Sequence, residues 1–103
     1  MRLYLCTTDT GCSEFLFTTD QERATQLFTT YLFLAEVEPS TVSISELTLA
    51  TVPSEHRRHL ESALAQGIEA FASYELGRGW VMCLIQHRFD QLSAAASKRD
   101  VQC

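Results

Sequence analysis

Several places in this chain of 103 residues bring together side chains able to do chemistry. His56-Arg57-Arg58-His59 lies in a stretch of helical period. His56 and His59, three apart, share a helix face and could both reach one metal ion, while Arg57 and Arg58 could hold phosphate or an acidic protein surface. No third ligand is placed beside them, so the run is read as a charged helix face and no metal is assigned. Gly77-Arg78-Gly79 could cradle an anion on its backbone amides, yet it lacks the lysine and the spacing of a phosphate loop. With only 4 glycines in the whole chain, no nucleotide-binding loop of the usual kinds is expected. The 4 cysteines, Cys6, Cys12, Cys83 and Cys103, form no Cys-x-x-Cys pair and are read as free thiols. No Gly-x-Ser-x-Gly elbow presents a serine nucleophile.

Asp9-Thr10-Gly11 is identical to the catalytic triplet of aspartic proteases, in which two such loops share a proton between facing carboxylates. A chain of this size would supply the second copy from a homodimer. The triplet here follows Thr7-Thr8 rather than the apolar residues that bury a catalytic loop, and a long helix soon after it does not suit an almost all-β protease. A hairpin turn is the simpler reading.

The elements that would position these groups are legible in outline. Residues 19–37, TDQERATQLFTTYLFLAEV, form the main helix. Thr19 and Glu22 fit a capping box, Ala24, Leu27, Phe28, Tyr31, Leu32, Leu34 and Ala35 make the apolar stripe, and Pro39 supplies the stop. Residues 2–7, which alternate, and residues 13–18 are read as strands on either side of the Asp-Thr-Gly turn, and the alternating residues 41–49 form a third strand. A second helix is expected from Pro53 to the stop at Gly67, followed by strands over residues 68–75 and 80–87 joined by Leu76-Gly77-Arg78-Gly79. The expected fold is a single α+β domain over residues 1–88 in the order β-β-α-β-α-β-β, a mostly antiparallel sheet with both helices on one face. Residues 89–103 are a tail, partly helical or disordered.

One consequence concerns function. Trp80, Val81, Met82, Cys83, Leu84 and Ile85 are apolar on both sides of the pleat, whereas a sheet covered on one face alternates. Either this strand is central and the tail covers its back, the buried-core reading that apolar runs in central strands favour, or the open face meets another protein as an association surface. Trp80 and Arg78 at the hairpin end, with Arg57 and Arg58 on the second helix, are the candidate partner-binding residues, being of the types that dominate interfaces.

Composition narrows the classes. A formal charge of −5 disfavours nucleic acid and anionic membrane as partners. The N-terminal apolar run is too short for a signal peptide and no stretch is long enough to span a bilayer, so a cytoplasmic protein is expected. No signature of helix-turn-helix, RRM, cold-shock, ferredoxin, thioredoxin or zinc-ribbon proteins is present. The sequence-level reading is a non-enzymatic, cofactor-free protein that binds another protein as adaptor or inhibitor. A mobile-element-encoded inhibitor of nucleic-acid machinery such as a defence nuclease belongs to that class. A structural homodimer and a small metal- or thiol-dependent enzyme are the alternatives.

Overall fold

Strands β1 (Arg2–Thr8) and β2 (Ser13–Thr18) form the expected N-terminal hairpin, with Leu3 opposite Phe17 and Tyr4 opposite Leu16. The computed structural model describes the backbone of every residue except Pro53, Leu76, Gly77 and Cys103. It also describes the side chains of all others but Glu55, Arg58 and residues 96–102. After the hairpin come α1 (Gln21–Leu34), β3 (Val42–Leu47), α2 (Ser54–Ala65), β4 (Ala70–Glu75), β5 (Gly79–Leu84) and α3 (Ile85–Gln102). The five strands form one antiparallel sheet in the order β3-β1-β2-β4-β5, so β1, β2 and β4 are interior and β3 and β5 are edges. The expected α+β class and element order hold, with a third helix added at the end.

The helices do not share a face. Tyr4, Cys6, Leu16 and Phe71 point toward α1, where Ala24, Leu27, Phe28 and Leu32 meet them, and Ile85 and Phe89 of α3 close the same side. Leu3, Phe17 and Ala72 point the other way, onto Val52 and onto Leu60 and Ala63 of α2. Placing both helices on one face is therefore corrected to a three-layer arrangement. Its cause is visible on β1 and β2, where adjacent residues are apolar and buried on both sides of the pleat.

The ends of the elements also differ from expectation. Asp20, not Thr19, caps α1: its carboxylate accepts a 2.8 Å hydrogen bond from the Arg23 amide. At the other end Val37 N–H donates to the Leu32 carbonyl and Glu36 N–H to the Phe33 carbonyl, with Glu36 at φ 60. This is a Schellman motif, and it stops the helix before Pro39 is reached. The last strand ends at Leu84 and not at His87, because Ile85, Phe89 and Leu92 recur at four and three and continue the chain as α3. The second helix ends as expected, with Gly67 at φ 64. Its expected start at Pro53, and Leu76 and Gly77 of the hairpin turn, fall outside the described residues.

Gly79, where the turn enters β5, has φ 82, and a Cβ built there would stand 2.9 Å from Cγ of His59 on α2. Gly67 has open space around it. Gly79→Ala is thus expected to lower unfolding free energy by about 2–3 kcal/mol, combining left-handed strain with a helix–strand clash. Gly67→Ala should cost about 1 kcal/mol, from strain alone. Urea unfolding of the two variants checks the order.

Candidate functional site

The groups singled out in the sequence are mostly occupied in holding the fold. The Asp9 carboxylate accepts from the backbone amides of Ser40 and Thr41 at 3.0 and 3.2 Å, which pins the hairpin tip to the chain entering β3. Thr8 and Gly11 complete a hydrogen-bonded turn, Gly11 sitting at φ 94. The triplet is a structural turn on an α+β sheet, at the exposed tip.

His56 and His59 lean on the β4–β5 hairpin. The His56 ring lies 3.9 Å from that of Tyr74, centroid to centroid, and its Nδ1 is buried with no hydrogen-bond partner. Trp80 packs edge-on against Phe15 and Phe17 at 5.1 and 5.5 Å, and its indole N–H donates to the His56 carbonyl at 3.3 Å. Among the described residues no group of three His, Cys, Asp or Glu side chains is placed to hold a metal ion. Cys6 is buried, and desolvation, then the Glu14 charge, pushes its thiol up to about 12, where it stays protonated. Cys12 and Cys83 are half-buried free thiols, and Cys103 lies outside the described residues.

Of the four candidate partner-binding residues, Trp80 is half-buried in the aromatic cluster, so truncating it would open a cavity and could not separate binding from folding. Arg78 is exposed and paired with Glu75 at 3.0 Å within its own turn. Arg57 is exposed on α2, and the Arg58 side chain lies outside the described residues. The structure brings Trp80 to His56 of α2, the two rings 5.8 Å apart.

Of the two readings of the last strand the covered one holds, since α2 lies on one side of the sheet and α1 with α3 on the other, although β5 is an edge strand and not a central one. Two other surfaces are open. Along β5 the sequence Gly-Trp-Val-Met-Cys-Leu carries no charge, its side chains past Gly79 are half-buried, and Leu84 is 57 % exposed. The opposite edge, β3, carries Ser43, Ser45 and Glu46, the last in a 3.4 Å ion pair with Arg2. The second surface is at the end of α1, where Phe33 is 79 % exposed beside a cleft of about 470 Å³ lined by Phe33, Leu34, Glu36, Glu38 and Ser93. The apolar stripe read from the sequence passes over Phe33. The signal was there, since Phe33 lies one and two turns beyond Thr29, Thr30 and Gln26 on the polar side of the helix.

No protein-family model, curated protein or solved structure matches the chain. Among the described residues no helix is long and apolar enough to cross a membrane.

Two polar ties join α1 to the sheet and to the residue before β4. Tyr31 of α1 donates to Glu14 of β2 at 2.8 Å, and burial, then that bond, pushes its phenol up to about 12. Fully buried Thr18 donates to Glu69 at 2.6 Å, and Arg23 reaches the same carboxylate through Nε and Nη2 at 3.2 and 3.1 Å. The Arg23 fork, followed by Thr18, holds the Glu69 carboxyl below its ordinary range despite partial burial. A carboxyl lowered in the folded state contributes stability above its unfolded pKa, and that contribution is lost as pH falls through the folded value. Glu69→Gln should therefore be less stable than the parent at neutral pH, and the gap should close as pH drops below the ordinary glutamate range of about 4.3. Urea midpoints measured from neutral to acid pH check this.

Proposed function

We propose that the protein acts by binding another protein, as a small adaptor or inhibitor, and that its β5 edge adds to a strand of the partner. The observation that carries the reading is the contrast between the two edges. A sheet edge presents a row of unpaired amides and carbonyls, and proteins blunt such edges with charge, proline or bulges. The β3 edge is blunted by Glu46 and its serines, whereas β5 has none of these devices over its six residues. In strand addition the backbone supplies affinity and alternate side chains supply specificity. On β5 Trp80 and Met82 face the α2 side, already committed to the core, which leaves the backbone edge and the exposed Leu84 for a partner.

The acidic balance of the chain suits a partner with a basic surface, and an inhibitor of a nucleic-acid-binding protein is one such case. Binding by an unblunted edge requires no cofactor and no catalytic group, in keeping with a role other than catalysis.

Val81 gives a clean test, because its cross-strand neighbour Ser73 is exposed and a change there leaves the packed clusters alone. A photoreactive side chain at position 81, in cells that make the protein, should crosslink to one discrete heterologous protein. Val81→Lys should weaken that capture at least about tenfold while shifting the urea midpoint little. Crosslinks confined to the chain itself, or capture unchanged by the lysine, would contradict the reading.

A further inference from the structure

Arg88, on α3, is a cation without a counter-charge. The residue is half-buried, and its Nε is cut off from solvent with no hydrogen-bond partner. Among the described residues no acceptor bonds the guanidinium, and no carboxylate stands within ion-pair reach of it. Arg2, Arg23 and Arg78 are more exposed, yet each has a glutamate, at 3.4, 3.1 and 3.0 Å. Of these four, the arginine that water solvates least is the one left without a partner. Its described contact is with the Phe71 ring, whose centroid lies 6.0 Å from Cζ, the outer limit of a cation–π interaction. A partly desolvated ion with so weak a contact costs stability.

The free part of the guanidinium faces outward. Nε is the buried unpaired atom, so the terminal nitrogens Nη1 and Nη2 keep access to the surface. Two parallel N–H groups at a fixed spacing match the two oxygens of a carboxylate or of a phosphate. Charge separates these two ligands. Burial pushes the Tyr31 phenol up and the Arg88 charge works against that push, which places the guanidinium near the hydroxyl that bonds Glu14 at 2.8 Å. A dianion would meet the Glu14 carboxylate across that hydroxyl with one guanidinium to offset it, whereas a monoanion is balanced by the guanidinium alone. The surroundings are apolar: the rings of Tyr31 and Phe89 lie 5.2 and 6.1 Å from that of Phe71, and a low local dielectric strengthens a charged hydrogen bond. We propose that Arg88, at the surface between α1 and α3, binds the carboxylate of a singly charged ligand end-on through Nη1 and Nη2. The ligand is a small organic acid or the free C-terminus of a chain. The site lies over β4 on the α1 side of the sheet and does not involve the β5 edge.

NMR of the full-length chain resolves arginine Nε–H signals and tests this directly. Sodium acetate, at ionic strength held constant with chloride, should shift the Arg88 signal along a saturating curve with half-saturation at about 10 mM or below. The signals of exposed Arg57 and Arg78 should drift without saturating. Arg88→Gln should weaken acetate binding, read from the Tyr31 and Phe71 ring protons, at least about tenfold. An unchanged urea midpoint shows that the variant is folded; should it not fold, the titration of the parent decides alone. An acetylated tripeptide with a free C-terminus, set against its amidated form, separates the two sources. Acetate and peptide bound alike support a small acid, while a peptide bound about tenfold more tightly than acetate, with the gain lost on amidation, supports a chain terminus. An Arg88 shift that grows linearly with acetate, equal binding by Arg88→Gln, or equal binding of the amidated peptide would each overturn the proposal. So would inorganic phosphate bound more tightly than acetate at mildly alkaline pH, where it is mostly the dianion.

Discussion

The arrangement depends on a constraint set by two neighbouring strands. In β1 and β2 successive residues, Leu3 with Tyr4 and Leu16 with Phe17, are apolar and almost wholly buried. Because successive side chains point to opposite faces, a sheet built on them must be covered twice. With α1 and α3 on one side and α2 on the other, the chain divides its apolar groups into two clusters, one around Phe28 and Phe71, the other around Phe17 and Leu60. Two covered faces leave only edges and outer helix surfaces for contact with other molecules.

The polar side chains most suggestive of chemistry serve that arrangement. Asp9 fixes the loop before β3, and the Trp80 indole is bonded to the start of α2. Glu69 joins the end of β2 to the first turn of α1 through Thr18 and Arg23. A bidentate carboxylate–arginine pair with a buried hydroxyl on the same oxygen has directional demands that apolar packing lacks. This tie fixes the start of α1 against the end of β2 and the residue before β4.

Most of the elements were legible in the sequence because their periods are clear. The apolar run Phe15-Leu16-Phe17 between the Asp-Thr-Gly turn and the helix caps gives β2, residues 13–18, and the stripe through Leu27, Phe28 and Tyr31 gives α1. Helix ends were less so, since Thr19 and Asp20 are both good caps and only the chain direction leaving β2 selects Asp20. The end at Glu36 was hidden because a left-handed cap normally announces itself with glycine or asparagine. The split of the helices between faces was written in Leu3-Tyr4 and Leu16-Phe17, but a short run apolar on both sides does not say what covers it. Of the candidate site, Trp80 was found for its type, though its rings turn inward. The β5 edge could not be seen as an edge, because strand order is a property of the whole sheet. Phe33 was overlooked amid apolar neighbours, being the one large apolar residue of that helix with no inward direction.

Closed faces and an open β5 edge make a definite statement about the isolated protein. Light scattering on a size-exclusion column over a range of dilutions, combined with amide hydrogen exchange of the same sample, bears on it most directly. The expected result is a monomer of 11.6 kDa in which alternate β5 amides exchange as fast as loop amides while those of β1 and β2 are strongly protected. A dimer that persists on dilution with all β5 amides protected would contradict it, since the edge would then already be occupied by a second copy.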